Sequence, residues 1–228
     1  MKPLILTAAL TVTAVALVTT AQPPPPQPQT TQSTPTPTST RPPASPPGSA
    51  QTQVGGAYVK DDQGRERYQG GKWIEITYGR PIKRGRDVFG SGPDYGKALL
   101  VGGATVWRAG ANVSTRLKTE APLVIGGKTV PAGEYSLFID LKSPTEWTLI
   151  VSSYGAKTSG RDETPDTLWG SFKYTPDKDV ARAPMTVGKS EASMDQLTWG
   201  FCDVTQDGGK LFLAWDTTNA VVPFTVAK

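Results

Sequence analysis

Two short segments combine arginine with glycine or proline, and they are the parts of this sequence best suited to bind a ligand. The first is YGRPIKRGR at residues 78–86, and the second is WRAGAN at residues 107–112. Glycine allows a close approach to the backbone, and the planar guanidinium of arginine fits carboxylate, phosphate or sulfate. If the fold brings the two segments together, they predict a shared anion pocket.

In such a pocket each candidate side chain has a role. Arg80 and Arg108 would hold the anion, Asn112 would orient it, and Trp107 would form an apolar wall. The full set of candidate ligand-binding residues is Arg80, Arg84, Arg86, Trp107, Arg108 and Asn112.

The same arginines also have a structural interpretation. Arg80 and Arg108 would then pair with carboxylates such as Asp87 or Asp203 and fix the loops. The other two arginines of the first segment would be solvated turn residues. The sequence leaves both interpretations open.

The composition excludes several kinds of catalysis. The chain contains no histidine, which rules out Ser-His-Asp and Cys-His nucleophiles, HExxH zinc sites and imidazole metal centres. The single cysteine, Cys202, can form neither an intramolecular disulfide nor a thiolate zinc cluster, and its aromatic surroundings favour a buried, inert thiol. We therefore predict no cofactor, no metal and no catalytic residue.

The charge balance argues against a nucleic-acid partner. Lysine and arginine number 24 against 20 acidic residues. No basic run or stripe accompanies this small excess, and a nucleic-acid binder usually shows one.

The N-terminal part of the chain has the composition of an export signal followed by a linker. Lys2 precedes an apolar run over residues 4–18 and the small residues Thr19, Thr20 and Ala21, a pattern typical of a cleavable signal peptide over residues 1–21. Residues 22–52 consist largely of Pro, Thr, Gln and Ser, which predicts a disordered linker with polyproline II character. The only cysteine lies far from the cleavage site, so the protein is not a lipoprotein. We expect a periplasmic or secreted monomer whose mature form does not span a membrane.

Residues 53–228 carry the pattern of an all-β domain. Short alternating runs separated by Gly, Pro and Asp turn signals indicate an antiparallel β-sandwich or jelly-roll-like fold. The charged stretch at residues 58–71 is interpreted as a solvated hairpin. The predicted strands span residues 73–78, 114–118, 123–125, 134–140, 146–152, 169–175, 197–204, 210–215 and 220–226.

The tryptophans are expected to belong mainly to the core. Five of the six lie in apolar strand patterns, where packing is favoured over contact with a sugar. Trp107 is the exception, because it lies beside Arg108 in a glycine-rich loop.

Several ordered motifs resemble a known family. They are ITYGRP at residues 76–81, RGR at 84–86, FG at 89–90, VWRxGANxxT at 106–115, VPAGxYxLF at 130–138 and WG at 169–170. Their order is similar to that of domain-of-unknown-function family 2911, whose members are exported bacterial proteins, and the similarity covers about residues 73–226. The resemblance implies that the arginine segments belong to a recurring pattern, but it implies no activity.

One region departs from the family pattern. Residues 91–105 form a longer, glycine-containing connection between the two arginine segments, and we interpret it as a flexible loop that could cover a pocket or alter its selectivity.

The sequence therefore favours a non-catalytic binding module of the cell envelope. Its partner would be a small anionic or carbohydrate ligand or an envelope protein. The alternative is a purely structural or interaction domain with no ligand. A histidine-independent hydrolase is the third reading, because carboxylates, Tyr or Lys would have to replace imidazole in acid–base chemistry.

Overall fold

The computed structural model describes residues 44–228, which are 57% strand and 6% helix. This composition confirms the all-β prediction. The predicted signal peptide, and the predicted linker up to residue 43, lie outside the described residues. The strands are β1 (Pro47–Val54), β2 (Ala57–Lys60), β3 (Glu66–Gln69), β4 (Lys72–Gly79), β5 (Thr115–Thr119), β6 (Leu123–Ile125), β7 (Lys128–Val130), β8 (Gly133–Ser143), β9 (Glu146–Ser152), β10 (Gly155–Ala156), β11 (Thr167–Leu168), β12 (Asp179–Thr205) and β13 (Gly208–Val226). Single 3-10 turns occur at Gly92–Asp94, Lys97–Leu99, Val101–Gly103 and Pro176–Lys178.

Nine of these strands form one antiparallel sheet. Its order is β1-β4-β5-β8-β9-β12-β13-β6-β7. Strand β12 is long enough to take part in both halves of the sheet, since it pairs first with β9 and then, from Thr186 onward, with β13. Beyond β4, Ile82 bridges Gln196 of β12, so the sheet folds back on itself at this corner.

The core fills the space between the two halves of the folded sheet. Every second residue of β4, β5, β8 and β9 points inward, as the period-2 alternation predicts, and packs against apolar residues of β12 and β13. A smaller cluster that includes Phe138, Ile150 and Leu168 lies outside this core and holds the segment between β9 and β12 against the sheet. That segment contributes to the candidate site described below.

Most of the predicted strands are present, and β9 spans the residues that the sequence predicted. The predicted hairpin at residues 58–71 is formed by β2 and β3. The sheet starts at Pro47 instead of residue 53, because β1 pairs with β4 over its whole length. The end of the predicted linker therefore belongs to the domain.

The predicted strand at residues 169–175 was wrong. The chain turns there, because Gly170 and Lys173 both adopt left-handed backbone conformations, with φ values of 62° and 63°. Within residues 44–228, no helix has the length and apolar character needed to cross a bilayer.

Candidate functional site

The WRAGAN segment forms a loop that leaves the sheet just before β5 begins to pair with β8. Trp107 exchanges two backbone hydrogen bonds of 2.8 Å with Ile139 of β8, and the ladder resumes where Thr115 of β5 faces Leu137. Residues 108–114 between these two points leave the sheet. Arg108 is thus placed at the base of a loop whose ends are both fixed.

Polar contacts hold this loop closed. The Thr115 hydroxyl donates to the Ala109 carbonyl at 3.1 Å, and the Trp199 indole N–H donates to the same oxygen at 2.9 Å. A Cβ on Gly110 would lie 2.7 Å from the Thr115 Oγ1, which explains the glycine at that position. Asn112 has a φ of 64°, a conformation that asparagine tolerates better than most residues. Much of the motif therefore builds the loop.

The sequence predicted that Trp107 forms an apolar wall of the pocket. In the structure Trp107 belongs to the core instead. Only 1% of it is exposed. Its ring stacks on Trp215 at a centroid distance of 6.2 Å and meets Phe89 and Trp147 edge-on at 6.0 and 6.3 Å. The backbone pairing with Ile139 sets this orientation, because it directs the indole into the sheet interior.

Arg108 is the predicted residue that lines a cavity with its charged group partly buried. Its Nη1 donates to the Asn112 carbonyl at 2.8 Å, and no carboxylate of the described residues lies within ion-pair distance. Burial lowers the pKa of the guanidinium, although an arginine remains charged at physiological pH. The predicted ion pairs with Asp87 or Asp203 are absent, since Asp203 pairs with Lys210.

A cavity of about 270 Å³ lies beside the Arg108 guanidinium. Two aromatic side chains in its wall are well exposed, Trp169 at 36% and Phe172 at 48%. The 91–105 loop supplies Val101, which is also exposed, so that loop does line the pocket. The lining residues are Leu99, Val101, Gly102, Arg108, Asn112, Trp169, Ser171 and Phe172.

Gly170 allows Arg108 to take this position. A Cβ on Gly170 would lie 2.7 Å from the Arg108 Nη1. The Ser114 hydroxyl, 2.5 Å from the Gly170 carbonyl oxygen, fixes this turn to the WRAGAN loop. The WG motif and the WRxGAN motif are therefore two sides of one site.

Arg80 points elsewhere. Its backbone N–H donates to the Pro46 carbonyl at 2.8 Å, and its Nε makes a long hydrogen bond of 3.5 Å to the Leu197 carbonyl. The Asn112 side-chain amide likewise reaches the Ser45 carbonyl at 3.5 Å. The two predicted ligand residues therefore hold the chain where it enters β1. Arg80 has a structural role, as the alternative interpretation predicted, but through backbone carbonyls instead of carboxylates.

Arg84 and Arg86 lie on an exposed turn outside the pocket. Arg86 donates to the Lys83 and Ile82 carbonyls at 2.9 and 2.8 Å. Lys83 fixes the turn through an ion pair with Asp216, and the hydrogen bond from Lys83 holds the pKa of the Asp216 carboxyl below its usual value. The structure thus gives these arginines the turn role of the alternative interpretation.

Sequence analysis missed the aromatic walls of the pocket. Trp169 was assigned to a core strand, and Phe172 was not considered. Gly170, placed directly after an aromatic residue and two positions before another, was the available signal of a turn. Trp73 was also expected in the core, but 48% of it is exposed.

Two other kinds of chemistry, metal binding and thiol reactivity, depend on the acidic residues and the cysteine of the described part of the chain. Among residues 44–228, no group of three or more Cys, Asp or Glu side chains is arranged to hold a metal ion. Cys202 is a free thiol of intermediate burial, so the prediction of a buried thiol was only partly right.

Fold and pocket together define an all-β domain that presents one arginine in a small cavity with aromatic walls. A family model described as "Protein of unknown function (DUF2911)" matches residues 61–224. The match covers more than half of the chain, so this protein belongs to that family, and the resemblance found in the sequence is confirmed. No curated protein and no solved structure matches the chain.

Proposed function

We propose that this protein is a non-catalytic binding module for a small organic anion, which the Arg108 pocket holds. One observation carries the proposal: the guanidinium borders a cavity and is satisfied by a single backbone carbonyl. Arginine has five N–H donors, so most of its hydrogen-bonding capacity is available to a ligand. A carboxylate, phosphate or sulfate fits that fork.

The walls of the cavity favour an anion with an attached apolar body. Trp169 and Phe172 expose ring surface that a flat or aliphatic group would cover. The volume of about 270 Å³ lies near the lower end of the range for ligand pockets, so the ligand is small.

Calorimetric titration of the full chain with inorganic phosphate, phenyl phosphate and benzoate tests the proposal. We expect phenyl phosphate to bind more tightly than inorganic phosphate, because its ring contacts the aromatic walls. Arg108→Ala should abolish the heat. Arg108→Lys should weaken binding by roughly tenfold or more, since a charge-assisted hydrogen bond is lost but the charge remains.

The matched control is Arg161→Ala, which removes the same charge from an exposed residue that does not line the pocket. Its affinities should equal those of the wild type. Equal heats for wild type and Arg108→Ala would contradict an anion site at this arginine.

We further propose that the module acts outside the cytoplasm, in the periplasm or after secretion. The charged N-terminus, the apolar run and the small residues up to Ala21 support export. Expression of the full chain in a bacterium, followed by N-terminal sequencing of the exported product, should give Gln22 as the first residue. Retention of the uncleaved chain in the cytoplasm would exclude export.

A further inference from the structure

The outer face of β4 carries a second set of exposed side chains. Residues Trp73, Glu75 and Thr77 point away from the core, because Ile74 and Ile76 between them are fully buried. With residues of β1 and β5 they line three adjoining cavities of about 290, 690 and 240 Å³, which share Glu75. We call this surface the Trp73 groove.

The groove is long and begins at an aromatic ring. Trp73 lies at one end with 48% of its surface exposed, and Asn112 lines the opposite end. From Trp73 to Gly79 the strand covers roughly 20 Å at about 3.3 Å per residue. This length suits an extended chain of several units better than a single small molecule.

Polar side chains fill the groove floor, and each is already held in place. Gln51 Nε2 donates to the Glu75 Oε1 at 2.7 Å, and the Trp73 backbone N–H donates to the Glu120 Oε2 at 2.8 Å. The Lys118 Nζ lies 3.4 Å from the Glu134 Oε1. These contacts orient the groups but leave lone pairs on each carboxylate free to accept further hydrogen bonds.

Arg116 is committed more strongly. Its Nη1 donates to the Ser136 hydroxyl at 2.8 Å and to the Tyr154 carbonyl at 2.6 Å. Both Nη1 hydrogens are thus used, and the Arg116 Nη2 lies 3.9 Å from the Glu134 Oε2, so fewer of its N–H groups are open to an anion than at Arg108.

The charges of the groove nearly balance, with three carboxylates against two cations. Glu75, Glu120 and Glu134 lie among Arg116 and Lys118, so the surface carries no excess of positive charge. A polyanion would find no basic stripe, and an apolar peptide would cover the carboxylates without offering a donor to their remaining lone pairs. The groove instead suits a neutral ligand rich in hydroxyl groups.

We infer that the Trp73 groove binds a neutral oligosaccharide. Each sugar ring has an apolar C–H face, which would stack on the Trp73 indole, while its hydroxyls would hydrogen-bond to Glu75, Gln51 and Lys118. The rigid sheet fixes the platform in advance, which reduces the entropic cost of binding. The inference is independent of the anion proposal, because the two sites share only Asn112.

Calorimetry and affinity electrophoresis of the full chain with cellohexaose, xylohexaose, mannohexaose and chitohexaose test the inference. At least one of these glycans should bind the wild type. Trp73→Ala should weaken that binding about tenfold, since an aromatic contact contributes up to about 1.5 kcal/mol, whereas Trp73→Phe should keep most of the affinity.

Two controls separate this site from the other one. Trp169→Ala removes an exposed tryptophan from the Arg108 pocket, and Arg108→Ala removes the proposed anion ligand. Both should bind the glycan as the wild type does. No binding of any of the four glycans by the wild type, or unchanged affinity in a folded Trp73→Ala variant, would overturn the inference. Neither result bears on phosphate or benzoate binding.

Discussion

Replacing Trp107 by alanine should lower the free energy of unfolding by about 3–5 kcal/mol, the usual cost of removing a buried aromatic side chain. The indole is 1% exposed and contacts three other aromatic rings, of which Trp215 is stacked against it. Urea denaturation followed by circular dichroism measures the loss. Such a change is large beside the 5–15 kcal/mol that stabilises a typical domain.

The matched control is Trp73→Ala, which removes the same side chain from an exposed position. It should lower stability by only about 1 kcal/mol, because about half of the ring is already in water and the rest of the cost is mainly alanine's weaker preference for a strand. Trp107→Phe should fall between the two, because the smaller ring keeps part of the packing. If Trp107→Ala were as stable as Trp73→Ala but lost anion binding, Trp107 would be a pocket wall and its place in the core would be wrong.

The contrast between these two tryptophans shows what a strand pattern can and cannot predict. Alternation in β4 correctly indicated a strand, but it leaves open which of its two faces is covered. Trp73 falls on the outer face of the sheet. Trp107 was treated as a loop residue because glycines follow it, yet its single pair of hydrogen bonds to Ile139 places the ring in the core.

Local turn chemistry was easier to read than pairing over long distances. Gly126-Gly127 and Asp207-Gly208-Gly209 are among the turn signals that separate the predicted strands, and they coincide with the β6–β7 and β12–β13 turns. No local signal could show that the Pro46 carbonyl accepts from the Arg80 backbone N–H, because that bond depends on β1 pairing with β4. This pairing explains why β1 begins inside a stretch rich in proline.

The candidate site shows the same difference between local chemistry, which the sequence predicts, and tertiary placement, which it does not. Residue chemistry identified Arg108 and Asn112, which do meet at one cavity. It could not separate Arg108 from Arg80, since both have the same side chain beside small residues, and only the tertiary fold decides which guanidinium borders open space. The aromatic walls come from the turn at residues 169–173, which the alternating pattern had predicted to be a strand.

The fold therefore separates two kinds of glycine-rich motif. In the WRxGAN loop and the WG turn, small residues position Arg108 at a surface. In the YGRP segment they let two pieces of backbone pack together beneath it. Gly79 of that segment tests this second role.

Gly79→Ala should lower the free energy of unfolding by about 3 kcal/mol, at the upper end of the usual cost of overpacking. The new Cβ would lie 2.2 Å from the Ala111 carbonyl oxygen and 2.9 Å from its carbonyl carbon. Neither side can yield easily, because Gly79 is paired with Pro47 of β1 and the loop before Ala111 is fixed by Trp199 and Thr115.

The comparison is Gly160→Ala, where an added Cβ meets nothing within 4 Å and the backbone φ is not positive, so stability should change by about 0.5 kcal/mol or less. Urea midpoints of the two variants measure the difference. Because the loop that carries Ala111 also carries Arg108, Gly79→Ala should weaken phenyl phosphate binding as well, while Gly160→Ala should not. Equal midpoints would show that β4 and the WRAGAN loop can separate at little cost, and the loop could then no longer be regarded as a rigid support for Arg108.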